Sequence, residues 1–223
     1  MAIALKRTSD STNAFVNMIV YAQSGSGKTY AIRTLPNPIV LSAESGLLSL
    51  KDTDLPYIEI KSVQDLYDAF EWLESAEAKE YDSVAIDSLS EIAEVVLLAE
   101  KEKVNHDMKA YAQMGDIMTR LIRAFRDLPK HVYMTAKAEK SQDEDGKILW
   151  APAMPGSKFA QSIPYFFDEV LALRVEKDDE GNTMRMLQCQ SDGKWGAKDR
   201  SGMLGEWQQP HLGDVISLIQ GGK

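Results

Sequence analysis

Residues 22–29, Ala-Gln-Ser-Gly-Ser-Gly-Lys-Thr, constrain the fold of this chain more than any other stretch. They match the phosphate-loop consensus G-x-x-x-x-G-K-[ST], with Ala22 in place of the first glycine. An apolar, β-branched run at 15–21 precedes the motif and a helical pattern at 30–35 follows it. The motif requires this context, because a glycine-rich turn between a strand and a helix curls its backbone N–H groups around a phosphate. The sequence therefore predicts a nucleotide-binding loop rather than a Ser/Gly linker that happens to precede Lys-Thr.

The consensus assigns a chemical role to individual residues of the loop. Lys28 is expected to reach the β- and γ-phosphates, and Thr29 to offer its hydroxyl to Mg²⁺. The predicted cofactors are therefore ATP and Mg²⁺. The residues predicted to hold the nucleotide are Gln23, Ser24, Gly25, Ser26, Gly27, Lys28, Thr29 and Tyr30.

Composition limits the class of protein. With 223 residues, 44% of them hydrophobic and 26% charged, the chain can bury one substantial core. Its net charge of -9 argues against a protein that coats duplex DNA through bulk electrostatics, so any nucleic-acid contact must be local. Because we find no signal sequence and no run near the ~20 apolar residues of a membrane helix, we expect a cytoplasmic protein without a membrane partner. The single cysteine, Cys189, excludes an internal disulfide.

Strand and helix patterns alternate along most of the chain. Apolar runs predict four further strands, at 39–41, 56–60, 81–87 and 131–137. Amphipathic helices are predicted at 62–74 and 111–128, with another after residue 90. This alternation predicts an α/β fold with a mostly parallel central sheet and helices on both faces.

Domain organisation follows from the segments outside this pattern. Residues 1–13 are polar and predicted to be a flexible arm, and 14–223 are predicted to form one domain. Residues 138–157 show no periodicity, so we expect a long mobile loop there. Two strands within 168–190 are predicted to pair as a C-terminal hairpin, followed by a tail helix at 210–220.

Charged residues end several of the predicted strands, at the edge where the phosphate loop also lies. Asp87 is expected to hold the Mg²⁺ shell, the alternative being a helix cap. Glu44 is expected to orient or deprotonate the water that attacks the γ-phosphate, the alternative being a solvated loop carboxylate. Lys137 either senses the γ-phosphate or is a solvated lysine.

The order of these features resembles the RecA-type recombinase core. More narrowly, it is similar to the compact phage ATPases of that core, a phage nucleotide-binding protein family that anneals single strands. The resemblance covers about residues 15–205. Its specific part is Glu44, the Ile-Asp-Ser strand end around Asp87, and the triplet Lys198-Asp199-Arg200. The fold that it implies is a RecA-like P-loop NTPase.

The resemblance implies assembly of several copies side by side, as a ring or a filament. In that family two basic residues reach across to the γ-phosphate of the neighbouring subunit, and here Lys198 and Arg200 would fill this catalytic role. The alternative for both residues is a solvated basic turn.

The resemblance also implies single-stranded DNA as a partner, with a single-strand-binding protein as a possible second one. Family members bind DNA through two loops, which here correspond to residues around 103–115 and 138–157. The residues expected to supply cations and a stacking ring are Lys140, Lys147, Trp150 and Lys158.

The leading expectation is an ATP-hydrolysing, DNA-stimulated annealing protein of phage homologous recombination, acting in the host cytoplasm. A helicase loader of the AAA+ type is an alternative, and it should carry a C-terminal helical domain with a sensor arginine. A small-molecule phosphotransferase is another, and it needs an arginine-rich lid, whereas residues 138–157 contain no arginine. A nucleotide-dependent switch protein with slow hydrolysis also stays open.

Overall fold

The computed structural model describes residues 15–44, 46–142 and 146–221, so the predicted arm at 1–13 lies outside the described residues. The strands of this part of the chain are β1 (Asn17–Ala22), β2 (Pro38–Ser42), β3 (Tyr57–Glu59), β4 (Ser83–Asp87), β5 (His131–Gln142), β6 (Ile148–Pro152), β7 (Glu169–Lys177), β8 (Thr183–Gln188), β9 (Lys198–Asp199) and β10 (Trp207–Gln208). Its α-helices are α1 (Lys28–Ala31), α2 (Val63–Glu74), α3 (Leu89–Lys103), α4 (Asp107–Arg126), α5 (Ser157–Ser162) and α6 (Leu212–Ile219).

The strands form one sheet in the order β10-β8-β7-β1-β5-β4-β2-β3, with β6 paired to β5 and β9 to β7. The neighbouring strands from β7 to β3 run parallel, whereas β6, β8, β9 and β10 pair antiparallel. The predicted α/β class, with a mostly parallel sheet and a C-terminal hairpin, is confirmed. Parallel pairing also brings the carboxyl ends of β1, β2, β4 and β5 to one edge of the sheet.

Helices cover both faces of the sheet, and alternate residues of β1 point to opposite faces. Ile19 and Tyr21 pack in a core with α2, α3, α4 and α5, while Met18 and Val20 pack in a second core with α1 and α6. Every residue of β1, β2 and β4 is buried. Burial on both sides explains why these strands are continuous apolar runs in the sequence.

The prediction of an irregular loop over 138–157 is wrong for much of that segment. Strand β5 continues to Gln142 and pairs with β6, with Lys140 opposite Trp150. This antiparallel extension projects past the parallel sheet: the end of β5 carries the exposed Glu139 and Lys140, while β6 is a short apolar run whose Ile148 and Leu149 stay exposed. We call residues 138–142 and 148–152 the β5–β6 extension.

Helix boundaries differ modestly from the predictions. Helix α4 begins at Asp107 rather than at 111, and the tail helix α6 spans 212–219 within the predicted 210–220. The helix after the phosphate loop is short, because α1 passes into a 3-10 turn at Ile32–Thr34. No helix among the described residues is long and apolar enough to cross a lipid bilayer.

Candidate active site

The phosphate loop leaves β1 at Ala22 and turns through two glycines in the left-handed region. Gly25 has φ +74° and Gly27 has φ +106°, conformations that L side chains rarely adopt. The Ser26 hydroxyl donates to the Gln23 carbonyl at 2.8 Å and closes the loop on itself. Ala22 is fully buried in the core at the end of β1. Its methyl group therefore lies outside the concave turn, and the departure from the glycine consensus leaves the turn intact.

Lys28 lies at the mouth of this loop. Its Nζ donates to the carbonyl oxygens of Ala22 and Gln23 at 3.0 and 3.2 Å. Burial lowers the pKa of Lys28, and the nearby carboxylates of Asp87 and Glu44 oppose that shift. The ammonium can exchange these two carbonyls for phosphate oxygens with a small movement of its flexible side chain.

Asp87 ends β4 and faces the phosphate loop. Thr29 Oγ1 donates to Asp87 Oδ2 at 2.7 Å, and the Thr135 hydroxyl of β5 donates to the other carboxylate oxygen. Burial raises the pKa of Asp87, while these two hydrogen bonds hold it down. The cap of helix α3 is Ser88, whose Oγ accepts from the N–H of Glu91. The helix-cap alternative for the Asp87 side chain is therefore wrong.

Glu44 follows β2 at the same edge. Ser88 Oγ donates to Glu44 Oε1 at 2.5 Å, so the carboxylate is held by a group one residue beyond Asp87. The backbone N–H groups of Ala43 and Glu44 donate to the Asp87 carbonyl, which joins the ends of β2 and β4. Glu44 is partly exposed and its charge acts on both Lys28 and Asp87. This is a positioned carboxylate rather than a freely solvated one.

Lys137 lies on β5 at the outer side of this group. Its Nζ pairs with Glu91 Oε2 of α3 at 2.7 Å, and this hydrogen bond raises the pKa of Lys137. The charge of Glu44 favours its protonated form as well. The ammonium thus lies within electrostatic reach of the site while being bound to α3.

Lys198 does not join this group in its own chain. Lys198 lies on β9, where it pairs with Val170 of β7. Val170 also pairs with Ile19, so Lys198 lies beside the first half of β1 rather than beside its carboxyl end. Its Nζ donates to the carbonyl oxygens of Pro164 and Phe167 at 2.7 and 2.5 Å. In this arrangement its ammonium is bound within the chain, so reaching a neighbouring subunit would require breaking these bonds.

Arg200 lies two residues after Lys198 and its side chain is exposed. Its Nη1 pairs with Asp168 Oδ1 at 2.6 Å. Asp168 lies beside the start of β1, where its N–H donates to the Asn17 carbonyl. Arg200 is therefore near the opposite edge of the sheet from its own phosphate loop. Its predicted role in a neighbouring subunit stays a prediction.

A cavity of about 700 Å³ opens beside the phosphate loop. The residues that line it from the predicted nucleotide-binding set are Ser24, Gly25, Gly27, Lys28, Thr29 and Tyr30. The cavity is also lined by Leu173, Arg185 and Pro210 of the C-terminal segment, which the sequence does not single out. Tyr30 is exposed and its hydroxyl accepts from Arg33 Nη1 at 2.8 Å.

The donor groups at this edge fit a nucleotide with one Mg²⁺ ion. Proteins usually hold Mg²⁺ by one or two carboxylates together with phosphate oxygens and water, and here Asp87 and Thr29 supply one carboxylate and one hydroxyl. The described residues contain no cluster of three His, Cys, Asp or Glu side chains that could hold a metal ion. The Mg²⁺ shell would therefore be completed by the nucleotide and water.

The aromatic residue predicted to stack on a DNA base is partly covered by another ring. Trp150 stacks on Trp195 with ring centroids 5.0 Å apart and planes 9° apart. The backbone N–H of Trp150 donates to the Lys194 carbonyl, and the Trp150 carbonyl accepts from the backbone N–H of Gly196. One face of the Trp150 indole is therefore occupied, and stacking of a base on the other face stays a prediction.

Comparison with known proteins gives a family and a structural neighbour. The sequence matches the AAA domain family over residues 14–201. The chain is also similar to a solved structure of the KaiC-like protein PH0186 from the hyperthermophilic archaeon Pyrococcus horikoshii OT3, with 10% sequence identity and a TM-score of 0.46. That similarity covers 77% of this chain and 76% of the other. No curated protein matches the sequence.

Proposed function

The chain belongs to the AAA domain family, and from that premise we propose that it is an ATPase that binds and anneals single-stranded DNA in homologous recombination. The observation that carries the ATPase part is the grouping of Lys28, Thr29, Asp87 and Glu44 at one edge of the sheet. A cation, a metal-binding hydroxyl and carboxylate, and a second carboxylate are the groups that hydrolysis of a nucleoside triphosphate requires.

Each residue has one step in the proposed hydrolysis. Lys28 leaves the carbonyls of the loop and binds the β- and γ-phosphates, while Thr29 and Asp87 are the residues that would hold Mg²⁺. A Mg²⁺ ion held there would supply positive charge against the charge that develops on the phosphates. Glu44, oriented by Ser88, accepts a hydrogen bond from the attacking water and takes its proton. Arg200 of a neighbouring copy stabilises the transferring phosphoryl group, and single-stranded DNA stimulates the reaction.

The DNA part of the proposal is supported by a groove on the α4 side of the molecule. Its cavity of about 670 Å³ is lined by residues from both segments that the family resemblance assigns to DNA, Met108 and Tyr111 from the first and Pro155 and Gly156 from the second, with Lys158 immediately beyond. The Lys101 ammonium lies 5.3 Å from the Tyr111 ring centroid. An exposed ring beside lysines is the combination with which proteins bind single strands.

Gly156 permits this arrangement. It has φ +81°, and a Cβ there would lie 3.2 Å from the Tyr111 ring. A side chain at 156 would therefore push the ring away from the groove. Tyr111, which is 38% exposed, joins Trp150 as a proposed stacking residue.

Two alternatives have less support. A helicase loader should carry a helical domain after the core, but the described residues from 169 to 208 form β7, β8, β9 and β10. A phosphotransferase should close an arginine-rich lid over its substrate, and the β5–β6 extension contains no arginine.

Strand annealing tests the proposal directly. Two complementary labelled oligonucleotides are mixed with the protein at low salt, with and without ATP. We expect the wild-type protein to accelerate annealing, and Lys28→Ala to abolish ATP hydrolysis because the β- and γ-phosphates lose their cation. Lys79→Ala, which removes an exposed lysine remote from the loop, is the matched control and should hydrolyse ATP like wild type. Wild-type protein that neither binds nor anneals single strands would refute the recombination function, even if it cleaves ATP.

Single-strand affinity tests the groove. We expect Tyr111→Ala to weaken binding of an oligonucleotide about tenfold, since stacking of one base on an aromatic ring contributes ~1–3 kcal/mol. Tyr67→Ala removes a similarly exposed tyrosine from α2 and should leave the affinity unchanged. Equal losses in the two variants would show that the groove has no special role. Fluorescence anisotropy of a labelled strand gives both affinities.

A further inference from the structure

We propose that Arg185 is a second phosphate-binding cation of the nucleotide site, supplied by the C-terminal hairpin of the same chain. The inference rests on the proposed ATP binding and adds a residue to it. Arg185 lies on β8, opposite Val175 of β7, and is 159 positions away from the loop residue that it contacts. Neither the loop consensus nor the spacing of the strand-end acids points to it.

The Arg185 side chain lies directly on the phosphate loop. Its Nε donates to the Ser26 carbonyl at 3.1 Å. A Cβ built on Gly27 would be 3.6 Å from both Cδ and Nε of Arg185. The guanidinium is therefore anchored at the two residues that precede Lys28, and it lines the cavity of about 700 Å³ beside the loop.

Most of the hydrogen-bonding capacity of this guanidinium is unused by the described residues. An arginine has five N–H donors, and the bond to Ser26 uses one of them. Three arginines of the described chain pair with carboxylates, Arg126, Arg174 and Arg200, whereas Arg33, Arg120 and Arg123 instead contact a tyrosine hydroxyl, a backbone carbonyl and an aromatic ring and do not line this cavity. Arg185 has no carboxylate partner within the described residues, although it stands beside a cavity.

The chemistry of the guanidinium identifies the ligand class. Its planar fork matches two phosphate oxygens at once, and such charge-assisted bonds are roughly twice as strong as neutral ones. The bond from Nε to Ser26 fixes the orientation of the fork in advance, which reduces the side-chain entropy lost on binding. Because Lys28 serves the β- and γ-phosphates, we assign Arg185 to the diphosphate portion that ADP and ATP share.

A purely structural role for Arg185 would be to brace the loop through the Ser26 carbonyl. Two substitutions separate the roles. Arg185→Gln keeps an N–H that can donate to that carbonyl but removes the positive charge, whereas Arg185→Lys keeps the charge. Lys177→Ala is the matched control, because it removes a cation from the same hairpin whose Nζ bonds to Thr183 rather than to the loop.

The test is titration of each variant with fluorescent analogues of ADP and ATP. We expect Arg185→Gln to raise the Kd for both nucleotides about tenfold or more, because the variant loses charge-assisted hydrogen bonds to phosphate oxygens. Arg185→Lys should keep most of the affinity, and Lys177→Ala should bind like wild type. The affinity of Arg185→Gln should also depend less on KCl concentration than that of wild type. The melting temperature of each variant without nucleotide should match wild type.

The outcomes separate this inference from the function on which it rests. Wild-type affinity in Arg185→Gln, with affinity lost in Lys28→Ala, would overturn the role of Arg185 and leave the ATPase intact. A lowered melting temperature of ligand-free Arg185→Gln, together with an unchanged KCl dependence, would identify a brace and overturn the inference too. Failure of wild-type protein to bind either nucleotide would refute both.

Discussion

At the scale of single residues, the ionisation of Asp87 depends on two threonines that come from different elements. Thr29 belongs to the helix after the loop, and Thr135 is a fully buried residue of β5. Burial raises the pKa of the carboxyl group, and the two hydroxyl donors favour its charged form. Mg²⁺ requires that charged form, so Thr135 controls the site without touching the nucleotide.

Thr135→Val should therefore shift the pH profile of ATP hydrolysis. Loss of the donor raises the pKa of Asp87 further, so the carboxylate is protonated at a higher pH. We expect the acid limb of the rate profile to move up by about one pH unit, since one unit corresponds to ~1.36 kcal/mol and a hydrogen bond to a charge contributes ~1.5–3 kcal/mol. Thr135→Ser keeps the hydroxyl and should keep the wild-type limb. Superimposable profiles for Thr135→Val and wild type would contradict this role.

Glu169, at the start of β7, is a second buried carboxyl group. It is 1% exposed, its Oε2 has no partner among the described residues, and its Oε1 accepts from the Ser201 N–H at 3.3 Å. Burial and then the charge of Asp199 raise the pKa of Glu169 from 4.5 to about 7. The folded state thus binds this proton more tightly than the unfolded state does.

The free energy of unfolding should consequently fall as pH rises from about 4.5 to about 7, where the unfolded chain has lost the proton that the folded chain still holds. Glu169→Gln cannot ionise and should remove this part of the pH dependence. We expect the variant to gain up to ~3 kcal/mol relative to wild type between pH 5 and pH 8, at ~1.36 kcal/mol per pKa unit. Urea unfolding at both pH values measures the difference. If the free energies of unfolding of the two proteins differ by the same amount at pH 5 and pH 8, Glu169 ionises normally.

At the scale of elements, the β5–β6 extension is fastened to the sheet by aromatic packing. The Trp195 ring stacks on Trp150 at 5.0 Å and on Tyr21 at 6.0 Å, and the Arg174 guanidinium lies 4.6 Å from its centroid. The Tyr21 hydroxyl also donates to the carbonyls of Trp150 and Gly196 at 2.9 Å. Tyr21 immediately precedes Ala22, so the extension is tied to the strand that carries the phosphate loop.

Trp195→Leu should loosen this extension. We expect backbone amides of β6 to exchange faster with deuterium and the free energy of unfolding to fall by ~1–2 kcal/mol, less than for a fully buried aromatic residue changed to alanine, because Trp195 is partly exposed and leucine keeps part of the contact. Trp207→Leu is a matched control, because Trp207 lies on β10, its ring is 37% exposed, and it is 5.9 Å from the same guanidinium. Unchanged exchange in β6 of Trp195→Leu would mean that backbone pairing alone holds the extension.

At the scale of the whole molecule, the site and the predicted trans-acting arginine lie at different places. Arg200 stands beside the start of β1, while Lys28 follows its end. One chain cannot join them, so their cooperation requires a second copy. The ion pair of Arg200 with Asp168 is at the surface and contributes only ~0–1 kcal/mol, so the side chain can leave it for a stronger partner.

Mixing experiments test this assembly. Lys28→Ala and Arg200→Ala should each lose ATP hydrolysis, and a mixture should recover part of it, because an intact phosphate loop can then meet an intact arginine. Arg126→Ala removes another ion-paired surface arginine and should hydrolyse ATP normally. Normal hydrolysis by Arg200→Ala, or no recovery in the mixture, would contradict a shared site. A steady-state phosphate-release assay measures ATP hydrolysis by the two variants, by their mixture and by the Arg126→Ala control.

What the sequence predicts well is local in the chain. The strand, the glycine turn and Lys28-Thr29 follow one another within 15 residues. The parallel strands are buried on both faces, and they are therefore recognisable in the sequence as runs of consecutive apolar residues. The P-loop ATPase core and the α/β fold are confirmed at this level, while the resemblance to phage annealing ATPases stays a prediction. Glu44 and Asp87 were identifiable because strand order places the ends of neighbouring parallel strands together.

Only the tertiary structure decides which distant residues meet. Thr135 and Arg185 carry no motif, since a hydroxyl inside a strand or an arginine in a hairpin has no distinctive spacing, yet they contact Asp87 and Ser26. The β5–β6 extension was missed because exposed charged residues mark the end of β5, and because the short apolar run of β6 does not reveal which strand it pairs with. Periodicity records which face of an element is buried, but the partner across a sheet or a loop depends on how the elements pack.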